Sequence, residues 1–395
     1  MKILILGSGL MGPAAAFNAM VDPDASQVIV CDRDERALDI CADKLNNKPG
    51  ASKLKFLQVD LGDERAAVDL LRDCDVTIAA LPRTASLEAC RAAISAGTPL
   101  VDLSRPEQMH LPALRQECKR AGVLIVLGCG VEPGLTEIMA RYLAEKLDRV
   151  DELHIKCGGI PEEPAPPLGY KIVFGGRQLP LTEKDALMVR DGALFPVPRY
   201  SGVEEVLFPN LGRCEAWHEG FMPWLLDLPA LQDLKLGTQK TIRWPGYAAK
   251  VTVLKEIGLL SREPVEVDGT QVVPKHLLDA LLYPHVRLRE NERDITLLRV
   301  EVIGEQNGRR RHHRIDMIDR YDEEGGFTSM ARTTAFTGAI VARMIARGEI
   351  RATGALPPEQ VITGPLFDQL TAELASVEIR FDLAEERALG TGGLP

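Results

Sequence analysis

Short apolar runs recur through the first third of the chain at intervals that suit strands alternating with helices. KILIL (2–6), QVIVCD (27–32), LKFLQVD (54–60), DVTIAAL (75–81), PLVDLS (99–104) and VLIVLG (123–128) each have the length and composition of a strand buried on both faces. Helix-prone stretches fall between them: PAAAFNAM after Gly12, then Glu64–Arg72, Thr84–Ala96 and Leu111–Ala121. TEIMARYLAEKL follows as an amphipathic helix capped near Thr136. This alternation predicts an α/β fold with a Rossmann-type, doubly wound parallel sheet.

From about Val150 the rhythm changes. DELHIKCGG reads as a strand, and the proline-rich GGIPEEPAPPLGY (158–170) is expected to be a loop near a cleft or an interface. HVRLRE (285–290), ITLLRVEVIG (295–304) and RRRHHRIDMIDRYD (309–322) alternate as strands do. The last two flank an Asn-Gly turn and so form a hairpin. A long small-residue helix is expected over 328–348, with Gly348 as its C-cap. The predicted organisation is a nucleotide-binding domain over 1–135, completed by 328–370. A second α+β domain with a mixed sheet spans 136–327. A flexible tail covers 388–395.

The 395 residues, 45% hydrophobic, suffice for two cores. A net charge of -10 argues against a nucleic-acid partner. The eight cysteines are scattered without a C-x-x-C pair, which predicts free thiols in a reducing compartment. No run of eighteen apolar residues and no leader pattern is present, so the expected location is cytoplasmic, away from membranes.

Against that background GSGLMGP (7–13) carries chemistry. Gly7 can make a tight turn, Gly9 leaves room for a pyrophosphate, and Gly12 lets helix and strand approach. Leu10 and Met11 complete the loop, and Pro13 suits the first helical turn. Asp32, at the end of the second strand, can accept hydrogen bonds from a ribose. It favours NAD over NADP, whose 2′-phosphate it would repel. Arg33 can hold such a phosphate, stack on adenine or face water. Asp60 lies at the next strand end, as a neighbour of the adenine or as a surface or capping acid. Ala80, Leu81 and Pro82 are expected along the pyrophosphate and nicotinamide side.

Asp102 ends a strand where ligands gather, and can hold a substrate ammonium, relay its proton, or cap the next helix. Glu132 can face the nicotinamide or the substrate amine, or satisfy backbone N–H groups. Arg243 suits an amino-acid carboxylate through its two-pronged fork. Lys250 is a further candidate contact or a solvated lysine. His218 titrates near neutrality when free and can shuttle protons or serve packing. Tyr170 and Lys171 close the proline-rich loop. Arg332 can meet cofactor phosphates or pack between domains. His312 and His313 face opposite sides of a strand, and no metal site or G-x-S-x-G elbow is predicted.

Several stretches together resemble the saccharopine dehydrogenase (glutamate-forming), or saccharopine reductase, family, and its lysine 6-dehydrogenase branch in particular. They are GSGLMG with Asp32, VDLS (101–104), GCGVEPGLTEIMA (128–140), CGGIPEEPAPPLGYK (157–171), KTIRWPGYAAK (240–250) and MARTTAF (330–336). GRCEAWHEG and PPEQVITG point to the same branch. Saccharopine reductases usually read GLDPG, so Glu132 is a longer acid at the matching place. The resemblance implies a homodimeric, NAD(P)-linked oxidoreductase acting on a carbon that bears an amine, with the second domain (136–327) supplying substrate binding and dimerisation. For the lysine branch it implies oxidation of the ε-carbon of L-lysine, then hydrolysis to ammonia and a semialdehyde that cyclises to piperideine-6-carboxylate. Saccharopine reduction or carboxylated-polyamine oxidation are the alternatives within the family. A nucleotide-binding regulatory protein without turnover is the alternative outside it.

Overall fold

The computed structural model describes residues 1–172, 178–289 and 292–387. The tail 388–395 and Glu290 of HVRLRE therefore lie outside the described residues. The chain divides into two compact units, Met1–Ile138 with Ala331–Ile379, and Met139–Met330 with the residues from Arg380 on.

Alternating elements open the chain: β1 (Lys2–Leu6), α1 (Gly12–Met20), β2 (Gln27–Asp32), α2 (Glu35–Leu45), β3 (Leu54–Gln58), α3 (Glu64–Arg72), β4 (Val76–Ala79), α4 (Arg83–Ala96), β5 (Leu100–Asp102), α5 (Leu111–Ala121), β6 (Leu124–Leu127) and α6 (Leu135–Ala144). The middle of the chain carries β7 (Arg149–Pro161), β8 (Ala186–Arg190), β9 (Ala193–Val197), β10 (Glu204–Phe208), β11 (Gly212–His218), β12 (Leu236–Arg243) and α7 (Tyr247–Glu256). After the small hairpin of β13 (Val265–Val267) and β14 (Thr270–Val272) come α8 (Pro274–Val286), β15 (Asp294–Gln306), β16 (Arg309–Arg320) and α9 (Ser329–Ala346). The last elements are β17 (Gly354–Leu356), α10 (Pro365–Ser376) and β18 (Asp382–Arg387).

In the first unit the strands lie in the order β17-β6-β5-β4-β1-β2-β3, and every pair is parallel. The order reverses between β1 and β4, the switch point at which such sheets bind ligands beyond their carboxyl ends. Local chemistry fixes the helices around it. Asp34 caps α2 by accepting from the Arg36 and Ala37 N–H groups, and Asp63 caps α3 through Ala66. Helix α9 needs Gly338, because a Cβ there would lie 2.2 Å from Leu103 Cδ2. Its Arg343 is buried and binds Asp22, Asn18 Oδ1 (3.0 Å) and Glu373 Oε2 (2.7 Å).

The second unit is built on a nine-stranded mixed sheet with the path β10-β11-β12-β7-β15-β16-β18, and β8 and β9 branch from β12. Its β7–β12 pair is parallel and its other pairs are antiparallel. β15 and β16 form the expected hairpin, with Asn307 (φ 51°) and Gly308 (φ 69°) both left-handed at the turn.

Three expectations change. Gly158–Pro161 are not loop but the end of β7, where Pro161 is the last residue and its carbonyl accepts from Trp244 Nε1 at 2.8 Å. HVRLRE is not a strand: His285 and Val286 end α8, and Arg287 makes only an isolated bridge to Ile172. β17 and β18, unanticipated, complete the two sheets.

Candidate functional site

The turn from β1 into α1 has the shape a dinucleotide phosphate requires. Gly7 has φ 97°, and a Cβ there would lie 2.6 Å from the Ala80 carbonyl oxygen. At Gly12 a Cβ would lie 2.1 Å from Gly7 O, so strand and helix meet with no room for a side chain. Gly9, exposed, has no heavy atom within 4 Å of its Cβ position. Two glycines thus serve close backbone packing, while the third keeps open space at the start of a helix, where N–H groups point outward. Leu10 is exposed and Met11 stands at the N-cap of α1, with Pro13 in the first turn. These residues fit a nicotinamide dinucleotide.

Asp32 is partly buried at the end of β2. Its Oδ2 accepts from Ser8 N (2.8 Å) and Ser8 Oγ (2.9 Å), and Oδ1 from Asp34 N (3.0 Å). Ser8, a residue the glycine pattern passes over, therefore ties the acid to the phosphate loop. Arg33 is exposed beside it. Asp60 is exposed and turned to its own loop, accepting from Gly62 N at 2.9 Å. Ala80 and Leu81 are half-buried beside Gly7, followed by exposed Pro82, the N-cap of α4.

Asp102 ends β5 and is fully buried. One carboxylate oxygen accepts from Ser86 Oγ of α4, and the other from Ser104 N at 2.8 Å. Burial outweighs both bonds and pushes its pKa up to about 6. The side chain thus holds or releases a proton close to neutrality. Glu132 is half-buried in the loop before α6. The Gly134 N–H at that helix start is taken by Glu137 Oε2 at 2.7 Å, which also accepts from Thr136 Oγ1 at 2.7 Å. Arg332 is buried on α9 and donates to the Val377 carbonyl, a packing bond within the first unit.

The second unit brings Tyr170 and Arg243 together and sets the other candidates apart. Arg243 ends β12, is 5% exposed, and lies over the rings of Tyr170 (4.8 Å) and Tyr247 (5.6 Å). Trp217 stacks on Tyr247 at 5.9 Å, and Tyr200 packs on Trp217 at 4.7 Å. Arg243 Nη1 donates to Ile242 O at 2.8 Å, while its Nε, Tyr170 Oη and Trp217 Nε1 are buried with no hydrogen-bond partner in the protein. Among the described residues Arg243 has no carboxylate within ion-pair distance, although Glu215 lies directly across from it in the β11–β12 register. Glu215 is taken by the start of α7, accepting from Gly246 N (2.7 Å) and Ala248 N (2.6 Å). Unsatisfied buried donors cost about 1–3 kcal/mol each, so these groups fit an anionic ligand that would supply the missing acceptors.

Lys171 is buried against Glu292 at 2.7 Å. Lys250 is exposed and braces the proline-rich loop through Pro167 O at 3.0 Å. His218 is buried against Gly202, whose Cβ would meet its Nε2 at 2.3 Å. Burial, then the charge of Lys240, pushes its pKa down to about 4, partly offset by Glu204. The imidazole is neutral at physiological pH, which removes the basis for expecting a proton shuttle from the free side chain.

A parallel sheet with this glycine cradle and an acid at the end of its second strand has the form of a dinucleotide-binding domain. The saccharopine dehydrogenase NADP binding domain matches residues 3–126, and the saccharopine dehydrogenase C-terminal domain matches residues 130–379. The chain belongs to the saccharopine dehydrogenase family, whose oxidoreductases act on carbon–nitrogen bonds. It is similar to carboxynorspermidine synthase of Vibrio cholerae, at 26% identity over 98% of this chain and 97% of that protein. It is similar also to carboxyaminopropylagmatine dehydrogenase of Synechocystis sp., at 23% identity over 93% and 95%. The fold matches that of saccharopine dehydrogenase (L-Glu forming) from Saccharomyces cerevisiae, with a TM-score of 0.80, 21% identity, and 98% and 99% coverage.

Proposed function

We propose that the protein oxidises an amine-bearing carbon of a basic α-amino acid, with L-lysine at its ε-carbon the leading substrate and NAD the cofactor. Arg243 carries this reading: a buried cation with aromatic walls and no carboxylate of its own suits a substrate with one carboxylate to anchor. The neighbouring cations are already engaged, Lys171 by Glu292 and Arg199 by Glu219, so among the described residues of this cluster a substrate with several carboxylates finds no further free anchor.

The bound nicotinamide supplies the hydride acceptor. The protein's part is to bind, orient and manage protons. Gly7, Gly9 and Gly12 would hold the cofactor phosphates, and Asp32, held by Ser8, would accept from its ribose hydroxyls. Its negative charge favours NAD, although the matched family domain is described as NADP binding. Arg243 holds the substrate carboxylate. Within the first unit, Asp102 is the candidate to take up the amine proton, a role its pKa of about 6 permits.

A second reading, oxidation or synthesis of a carboxylated polyamine, is favoured by the near full-length similarity to carboxynorspermidine synthase. Following reduced-nicotinamide absorbance with lysine, ornithine, saccharopine and carboxyspermidine, each with NAD and NADP, separates the two. Turnover of L-lysine with NAD is expected. Turnover of carboxyspermidine alone moves the assignment to the second reading, and no turnover with any of them overturns both.

A further inference from the structure

The cluster around Arg243 also holds an acid that the glycine and arginine motifs do not point to. Side chains alternate along a strand, so Thr241 and Arg243 lie on one face of β12, roughly 7 Å apart. Thr241 Oγ1 donates to Glu219 Oε2 at 3.2 Å, so the Glu219 carboxylate is held by the side chain two residues before Arg243 on the same face of the strand. Glu219 follows β11, and its Oε1 accepts from Arg199 Nη1, which fixes the carboxylate in place. Its side chain is 38% exposed and so within reach of a ligand.

Glu219 and Arg243 are engaged separately, Glu219 by Arg199 and Thr241, and Arg243 by the Ile242 carbonyl and the rings of Tyr170 and Tyr247. Both charges act on the hydroxyls of Tyr170, Tyr200 and Tyr247. The three tyrosines and Trp217 form a common wall along which the acid and the base are held apart. An α-amino acid carries its ammonium and carboxylate on one carbon, a pair of charges that complements such an arrangement.

We propose that Glu219 accepts the substrate's α-ammonium while Arg243 takes its α-carboxylate, so that Glu219 selects α-amino acids over ω-amino acids and diamines. This rests on the reading of Arg243 as the carboxylate anchor. Selection by Glu219 accounts for a requirement that Arg243 cannot impose, since an arginine accepts any carboxylate.

Calorimetric titration of the full-length protein with NAD present tests it, using L-lysine, 6-aminohexanoate, which lacks the α-ammonium, and cadaverine, which lacks the carboxylate. The expected result is that L-lysine binds about tenfold or more tightly than 6-aminohexanoate, the scale of one charge-assisted hydrogen bond. Glu219→Gln should erase that preference by weakening L-lysine and leaving 6-aminohexanoate unchanged, which also shows that the site is still formed. Equal weakening of both, or no change in L-lysine, overturns the proposal, as does wild-type protein that binds neither. L-lysine that binds with the Glu219-dependent preference but is not oxidised leaves this inference standing and overturns the proposed reaction. L-lysine oxidised equally well by Glu219→Gln does the reverse.

Discussion

The phosphate cradle and the arginine cluster are built by opposite means. The cradle is main chain: three glycines within six residues, each set by where a Cβ would collide or by open space. The arginine cluster is side chain, assembled from residues 170, 200, 217, 219, 243 and 247 on strands, loops and the start of α7. A backbone site declares itself by spacing, because only glycine fits. A side-chain site depends on which partners the fold diverts elsewhere, as it diverts Glu215 to the start of α7.

Substitutions that delete the key group on each side sharpen the contrast. Arg243→Ala should have the largest effect, lowering kcat/KM for L-lysine on the order of 10³-fold through loss of a buried charge partner, with dinucleotide affinity unchanged. Steady-state kinetics with direct cofactor titration checks this, and equal damage to both affinities would erase the distinction. In the cradle the glycines should separate. Gly12→Ala, with its Cβ 2.1 Å from Gly7 O, should cost roughly 1–3 kcal/mol of stability in denaturant unfolding. Gly9→Ala meets no protein atom, so it should leave stability unchanged and weaken dinucleotide binding about tenfold.

Asp102→Asn gives a stability effect that depends on pH. The Asp102 carboxyl has a folded pKa of about 6 against 3.8 for the free group. Its protonated form is therefore favoured by folding. That contribution is complete below about pH 4 and is lost as pH rises to about 6. Asparagine does not titrate, so the stability of the variant relative to wild type should rise across pH 4–6 by on the order of 2–3 kcal/mol and then level off. Thermal melting across pH 4–8 measures this, and a constant difference would show that Asp102 keeps an ordinary carboxylate pKa.

Much of the first unit was legible in the sequence because each of its strands is a continuous apolar run and each glycine has one backbone reason. Helix α5 spans Leu111–Ala121 as the pattern predicts. Legibility failed where context outweighed pattern. HVRLRE, whose alternation suggested a strand, begins with the last two residues of α8, a helix that runs through Pro284. β18 reads DLAEER, too charged to announce a strand, yet it pairs with β16 from Asp316↔Asp382 onward. The candidate residues of the side-chain site were partly visible: Tyr170 and Arg243 are together, but Lys171 is occupied by Glu292. Nothing in the spacing of GRCEAWHEG shows that Glu215 turns away from Arg243 while Glu219 turns to Thr241.

The placement of Arg343 has a consequence for the order in which the protein becomes whole. Its partner Asp22 stands 321 residues earlier, and β17, which closes one edge of the first sheet, also comes from the far end of the chain. The segment that begins the nucleotide-binding unit ends at Ile138, and the segment that completes it runs to Ile379. At 5–20 residues per second, roughly 10 to 50 s of synthesis separate the two. Throughout that interval the newborn sheet has an open edge on β6 and a carboxylate at Asp22 with no guanidinium to meet it, so the unit that is read first is the one that must wait to be finished.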